Sequence, residues 1–176
     1  MNKMHQITHP KFAAQAAEVN KVVKGYPNVV ALCIRSLLTN DHVLLTSLPG
    51  LAKTTLANTL GATIIGGKAG RIQMLPDTQP SDITGIPIFN PESREWETVL
   101  GPIVGVNVFL ADEVNRTGPK TNAAMLQSMQ ERKVTIRGVD HKLEPVFIVI
   151  ATRNPIEQEG TYELPEAMID RFGAEV

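Results

Sequence analysis

The sequence predicts an α/β fold of three layers, in which a mainly parallel sheet of five strands lies between helices. Five short apolar runs rich in β-forming residues are separated along the chain by helical or irregular stretches. The runs are almost continuously hydrophobic and lack polar alternation, which is typical of parallel strands covered on both faces. These candidate strands are residues 42–46, 71–75, 106–111, 146–151 and 172–176.

Helices are predicted before and between these strands. Apolar residues recur at helical spacing over 29–38, and the polar residues 39–41 break the pattern before the first strand. Further helices fit residues 53–60 and 119–131, and Pro119 stands at a first-turn position, where proline is favoured. The order of elements is therefore that of a sheet with helices on either side.

One domain is expected, because 176 residues suffice for one full core. Residues 1–20 indicate a weakly structured lead-in, in which 13–19 can form a short helix, and residues 21–176 form the core. Two segments depart from a plain alternation of strands and helices. Residues 80–99 are long and turn-rich, and residues 133–144 alternate around a glycine as a β-hairpin does. Each segment is either a partner contact or an ordinary surface excursion.

Composition narrows the function classes. With 43% hydrophobic and 20% charged residues the chain is typical of a soluble globular protein, and no run of about 18 apolar residues could span a membrane. We expect it to be cytoplasmic. A formal net charge of -1 does not favour nucleic acid as a partner. Cys33 is the single cysteine, which excludes a disulfide within the chain, and the four histidines show no metal-binding spacing.

A candidate phosphate loop follows the first strand and precedes a helix. Consecutive backbone N–H groups in such a loop curl around phosphate oxygens, and the new helix directs its positive end at them. Lys53 would reach the β- and γ-phosphates of a nucleotide, and the hydroxyl of Thr54 would bind Mg²⁺. Ser47 and Ala52 replace the glycines of the consensus G-x-x-x-x-G-K-[ST]. The residues expected to bind nucleotide are Ser47, Pro49, Gly50, Leu51, Ala52, Lys53, Thr54 and Thr55.

Polar residues at the ends of later strands are candidates for hydrolysis. Asp112 at a strand tip can hold the Mg²⁺ shell, and the adjacent Glu113 can polarise water for attack on the γ-phosphate. In a parallel sheet the carboxyl ends of the strands line one crevice, so Asn154 can reach the water or the γ-phosphate. Without a phosphate loop, the acidic pair would indicate a solvated turn and Asn154 an ordinary Asn-Pro turn. Arg171 is either a surface residue paired with a carboxylate or an arginine that acts on a neighbouring subunit.

These motifs together resemble the AAA+ superfamily, and more narrowly the MoxR ATPases, from about residue 22 onward. The resemblance lies in Leu48-Pro49-Gly50-Leu51-Ala52-Lys53-Thr54 and in residues 80–85, 101–103, 110–116, 154–162, 164–167 and 170–172. Ala52 follows the family pattern. Ser47 stands where the family has glycine, and Tyr26 stands where glutamine often follows Gly25.

The resemblance implies a P-loop AAA+ core with catalytic Lys53, Glu113, Asn154 as sensor 1 and Arg171 as the arginine finger. It also implies a homo-oligomeric ring, commonly a hexamer. The segment 80–99 then resembles the helix-2 insert of the family, and 133–144 the hairpin before sensor 1. A helical lid with a second sensor arginine follows the core in MoxR proteins, and we expect a core without it.

The leading hypothesis from the resemblance is an ATPase that uses ATP and Mg²⁺ to mature or remodel protein complexes as a chaperone, with protein clients and von Willebrand factor A-domain partners. The alternative is a nucleotide-binding assembly module without effective hydrolysis, which the replaced glycine at Ser47 and the missing lid favour. A third class, a nucleic-acid motor, shares the core, but the neutral charge and the lack of an aromatic-basic stripe argue against it.

Overall fold

A computed structural model of the chain describes residues 9–46, 52–154 and 161–175. In chain order its strands are β1 (Val43–Thr46), β2 (Ala69–Gln73), β3 (Gly85–Asn90), β4 (Glu95–Leu100), β5 (Val108–Asp112), β6 (Lys133–Ile136), β7 (Val139–Lys142), β8 (Ile148–Arg153) and β9 (Ala174–Glu175). The helices are α1 (Pro10–Val22), α2 (Pro27–Thr39), α3 (Lys53–Ala62), α4 (Pro80–Thr84), α5 (Pro119–Glu131) and α6 (Glu166–Ile169). Residues 114–116 form a single 3-10 turn after β5.

The central sheet has the order β2-β5-β8-β1-β9, and its paired strands all run parallel. This confirms the predicted α/β class and the five strands. The strand ends differ from the predicted ones by at most two residues. Apolar runs mark buried residues, whereas a strand ends where its backbone hydrogen bonds to the neighbouring strand end. The ladder of β5 continues to the polar Asp112, which pairs with Gln73.

Alternate residues of the buried strands enter two separate cores, which establishes the three layers. On one face, Val108 and Leu110 pack in a cluster with α1, α2 and α3. On the other face, Phe109 and Ala111 pack in a cluster that includes residues of α5. Because both faces are covered, every residue of β5 is buried, as the uniform hydrophobicity predicts.

The short helix expected at residues 13–19 is present but longer, and the expectation of weak structure around it is wrong from Pro10 onward. Helix α1 has 13 residues and crosses the division expected at residue 20. Its Val19 is fully buried, and Gln15 Nε2 donates to Thr63 Oγ1 at 2.8 Å. After its first-turn proline, only Phe12, Val19 and Val22 are apolar and larger than alanine. The stability of α1 therefore depends on packing against α2 and α3, which the local sequence does not reveal.

Both predicted insertions contain antiparallel ribbons. Residues 133–144 form the hairpin β6–β7, closed by Arg137 and Gly138, whose φ angles of 49° and 77° fit a two-residue turn. Residues 80–99 contain α4 and most of the ribbon β3–β4, which carries half-exposed apolar side chains on both faces. The guanidinium of Arg137 lies 4.2 Å from the ring centre of Trp96 and connects the two ribbons. Among the helices described, none is long and apolar enough to cross a bilayer.

Candidate active site

The carboxyl ends of β5, β8 and β1 lie side by side and carry the polar residues of the candidate site. The parallel register pairs Ala111 with Ala151 and Leu45 with Thr152. Asp112 and Thr152 therefore follow two paired residues and come into contact at the same edge of the sheet. Ligands of open α/β sheets bind at this edge.

Asp112 is the centre of a buried cluster of hydrogen bonds. Its Oδ1 accepts from Lys53 Nζ at 2.7 Å and from Thr152 Oγ1 at 2.5 Å. Its Oδ2 accepts from Arg71 Nη2 at 3.1 Å. The side chains of Lys53 and Asp112 are 13% and 9% exposed, so their ion pair is largely shielded from water. Such charge-assisted bonds hold the carboxylate in one orientation.

The pKa of Asp112 follows from the same contacts. Burial by itself raises the pKa of this carboxyl, but hydrogen bonds from Lys53, Thr152 and Arg71 and the charge of Lys53 outweigh burial, so the pKa is lowered below its usual value. Asp112 is therefore ionised at neutral pH. An anionic oxygen at this edge is the type of ligand that Mg²⁺ prefers.

The candidate general base, Glu113, has an unusual backbone. Its φ of 59° and ψ of 50° place it in the left-handed region, at a cost of roughly 1–2 kcal/mol for a residue with a Cβ. Its N–H donates to Thr152 Oγ1 at 3.0 Å, which helps to hold this conformation. Its Oε2 lies 2.8 Å from Arg116 Nε, and both side chains remain partly exposed. The carboxylate is thus held by a cation at the border of the site.

Asn154 is fixed beside the acidic pair by a second asparagine. Asn115 Nδ2 donates to the backbone oxygen of Asn154 at 3.2 Å, and Asn115 Oδ1 accepts from the Asn154 N–H at 3.4 Å. Both residues are buried. The backbone oxygen of Asn115 also accepts from the N–H of Tyr162 at 2.7 Å. Asn115 therefore connects the end of β8 to the segment that leads into α6.

Ala52 is the first described residue of the candidate phosphate loop. This residue has φ of -66° at the start of α3, a conformation that does not require glycine. Lys53 is the first residue of α3, and Thr54 and Thr55 are exposed on its first turn. Ser47, Pro49, Gly50 and Leu51 lie outside the described residues.

The residues expected to bind a metal suit Mg²⁺ rather than a softer ion. A hydroxyl at Thr54 and a carboxylate at Asp112 are oxygen ligands, and Mg²⁺ usually completes such a set with water and substrate phosphates. Within the described ranges no group of three His, Cys, Asp or Glu residues could hold a metal ion.

Arg171 lies at the amino ends of the parallel strands, on the side of the sheet opposite to the carboxyl ends that carry Asp112. It precedes β9, whose Ala174 pairs with Val43 at the amino end of β1. In the amide orientation that satisfies both groups, the side-chain oxygen of Gln130 accepts from Arg171 Nε at 2.7 Å. The exposed guanidinium borders a cavity of about 630 Å³ that Arg132 also lines. Within one chain Arg171 is therefore separated from the cluster around Asp112.

Comparison with known proteins identifies the fold. Residues 42–174 match the model of the ATPase family associated with various cellular activities, AAA. The chain is 46% identical over 164 residues to the uncharacterized protein YeaC of Bacillus subtilis, covering 93% of this chain and 51% of YeaC. It is 45% identical over 155 residues to chaperone MoxR1 of Mycobacterium tuberculosis, covering 88% of this chain and 41% of MoxR1. This chain belongs to the MoxR family of AAA+ ATPases.

A solved structure agrees with this family assignment. The crystal structure of a candidate ATPase from Cytophaga hutchinsonii superposes with a TM-score of 0.83 at 43% identity, covering 94% of this chain and 50% of that chain. The MoxR resemblance and the AAA+ fold expected from the sequence are thereby confirmed. The chain spans about half the length of these relatives.

The structure adds three residues to the candidate site of this AAA+ core. Thr152 and Arg71 bind Asp112, and Asn115 binds the backbone of Asn154. Thr152 carries a recognisable signal, because it is a polar residue at the end of an apolar strand, as Asp112 is. Arg71 carries none, since an arginine on a strand at the sheet edge is ordinarily a solvent-facing residue.

Proposed function

We propose that the chain binds ATP at the carboxyl edge of its sheet and hydrolyses it to ADP and phosphate, and that this reaction drives the remodelling or maturation of protein complexes. One observation carries the proposal. The amine of Lys53 and the carboxylate of Asp112 meet at 2.7 Å beside Glu113, at the edge where parallel α/β sheets bind ligands. Membership of an ATPase family supports the same reaction class.

Each residue has a role that follows from its chemistry. Lys53 exchanges its contact with Asp112 for the β- and γ-phosphates, because the triphosphate carries more negative charge than one carboxylate. Asp112 and Thr54 would hold Mg²⁺. When bound, Mg²⁺ would neutralise the charge that develops on the phosphates. Glu113 leaves Arg116 and accepts the proton of the attacking water, which Asn154 orients.

Arg171 acts from a neighbouring subunit in this proposal. Its position at the opposite edge of the sheet keeps it from the Asp112 cluster of its own chain. A ring of identical chains, commonly a hexamer in this family, would place Arg171 near the γ-phosphate bound by the neighbouring subunit. There an arginine stabilises the negative charge on the phosphoryl group as it is transferred. Protein clients, von Willebrand factor A-domain partners and a cytoplasmic location belong to the same proposal.

Substitution of Glu113 tests the reaction. We expect Glu113→Gln to bind ATP within about threefold of the unsubstituted chain, since the amide keeps the shape of the side chain, and to release phosphate at least a hundredfold more slowly, because the general base is lost. Glu92→Gln, in the exposed connection between β3 and β4, is the matched control and should leave both quantities unchanged. Phosphate release and equilibrium binding of ATP are the measurements.

A specific contact favours the alternative of binding without hydrolysis. The ion pair between Arg116 and Glu113 occupies the carboxylate that the reaction needs. If the unsubstituted chain binds ATP but releases no phosphate, and Arg116→Ala starts that release, the chain is a nucleotide-binding module held inactive by this pair. Unchanged turnover in Glu113→Gln would remove Glu113 from the mechanism.

A further inference from the structure

We propose that Thr152 is a positioning residue for ATP hydrolysis: its hydroxyl holds the Asp112 carboxylate and the Glu113 backbone in their working positions after Lys53 has moved to the phosphates. The inference rests on the proposed function of the same site. Thr152 lies near the end of β8 and is fully buried. None of the sequence motifs assigns it a role of its own.

The hydroxyl of Thr152 uses its full hydrogen-bonding capacity within the site. It contacts Asp112 Oδ1 at 2.5 Å, the N–H of Glu113 at 3.0 Å and Lys53 Nζ at 3.5 Å. A threonine hydroxyl has one proton to donate and two lone pairs to accept with. Three neighbours therefore saturate it.

Chemistry fixes the direction of each of these bonds. The N–H of Glu113 and the ammonium of Lys53 can only donate, so the two lone pairs of Thr152 face them. The hydroxyl proton must then point to Asp112, because an ionised carboxylate has no proton and can only accept. The hydroxyl is thus held in a single orientation by its neighbours and is not free to rotate.

Binding of phosphates would remove one member of this arrangement. Lys53 is the partner that moves, because the γ-phosphate needs its charge. Arg71 remains, but on Asp112 it contacts Oδ2 alone, it shares the same Nη2 with Gln73 Oε1, and its side chain is 46% exposed. The hydroxyl of Thr152 contacts both acids of the pair: the side-chain carboxylate of Asp112 and the backbone N–H of Glu113. It therefore keeps them aligned when the ion pair is broken.

The backbone of Glu113 makes this alignment necessary. A left-handed residue with a Cβ reverts easily to an extended or helical conformation unless a contact holds it. Since the side chain leaves the backbone in a direction set by φ and ψ, such a reversal would turn the carboxylate away from the attacking water. The bond from the Glu113 N–H to Thr152 opposes this reversal.

Two substitutions of Thr152 separate its hydroxyl from its shape. Thr152→Val keeps the branched shape and removes the hydroxyl, whereas Thr152→Ser keeps the hydroxyl. We expect Thr152→Val to lower kcat by roughly ten- to hundredfold, in line with the loss of a hydrogen bond to a charged group, and to change the Kd for ATP by less than about threefold. Thr152→Ser should retain kcat within about threefold of the unsubstituted chain.

A matched control distinguishes positioning from general destabilisation. Thr121 is a buried threonine of α5 whose hydroxyl donates to the Thr78 carbonyl at 2.9 Å. Thr121→Val removes a buried hydroxyl elsewhere and should leave kcat unchanged. Urea unfolding of every variant confirms that the measured samples are folded.

The outcomes separate this inference from the proposed function. Three outcomes would overturn the positioning role while ATP hydrolysis stands. They are an unchanged kcat in Thr152→Val, a loss of kcat in Thr152→Ser as large as in Thr152→Val, and a loss of ATP affinity in Thr152→Val that parallels its loss of kcat. Absence of phosphate release from the unsubstituted chain would overturn the proposed function, and the positioning role for hydrolysis with it. Loss of kcat in Thr152→Val alone supports the inference.

Discussion

Acid is expected to destabilise the protein through His42, a buried histidine immediately before β1. The residue is 6% exposed, and its Nδ1 accepts from the N–H of Val149 at 3.0 Å. Burial, followed by the charge of Arg132, lowers the pKa of His42, while Asp41 and a backbone hydrogen bond to Met129 partly oppose them. Together these contacts bring the pKa from an ordinary 6.5 to about 4. The imidazole is therefore neutral in the folded protein at pH 7.

The sign and size of the effect follow from this pKa. Below pH 6.5 the unfolded chain binds a proton at His42, and the folded protein does not bind it until about pH 4. The unfolded state binds more protons in this window, so the free energy of unfolding falls as the pH falls. Between pH 7 and pH 5 the loss from this one group is about 2 kcal/mol.

His42→Asn isolates this contribution, because the amide oxygen can take the place of Nδ1 as the acceptor and does not titrate. The assay is urea unfolding of both proteins at pH 7 and pH 5. The difference in their free energies of unfolding should change by about 2 kcal/mol in favour of the variant at pH 5. Contributions of the carboxylates cancel in this difference. A difference that stays constant with pH within about 0.5 kcal/mol would refute the assignment of a neutral, buried His42.

Two further substitutions follow from the described contacts. Lys53→Met should weaken ATP binding by at least about tenfold, because a charge-assisted contact to phosphate is lost. Lys53→Arg keeps the charge and should weaken binding less. Equal ATP titration curves for Lys53→Met and the unsubstituted chain would contradict the role of Lys53. Gly70→Ala in β2 should destabilise the fold by roughly 1–3 kcal/mol in urea unfolding, because its new Cβ would lie 2.3 Å from the backbone oxygen of Pro102. Gly118→Ala is the control, since its Cβ would meet nothing within 4 Å, and equal stability of the two variants would show that β2 yields to the added methyl.

Local chemistry determined the order of the elements and part of the candidate site. Helix α5 has the predicted bounds, 119–131, because a proline favours its first turn and its apolar stripe has helical spacing. Lys53 and Asp112 could be placed together in advance, since each follows a strand and the carboxyl ends of parallel strands meet at one edge. The family motifs then indicated which chemistry to expect there.

Tertiary structure alone decided which side chains surround Asp112. Its partners Arg71 and Thr152 are 41 and 40 residues away in the chain, and they reach it because β5 lies between β2 and β8 in the sheet. The order and register of strands are set by packing over the whole domain, so no local pattern encodes them. The burial of α1 and the left-handed backbone of Glu113 have the same origin, since distant residues stabilise conformations that the local sequence does not favour.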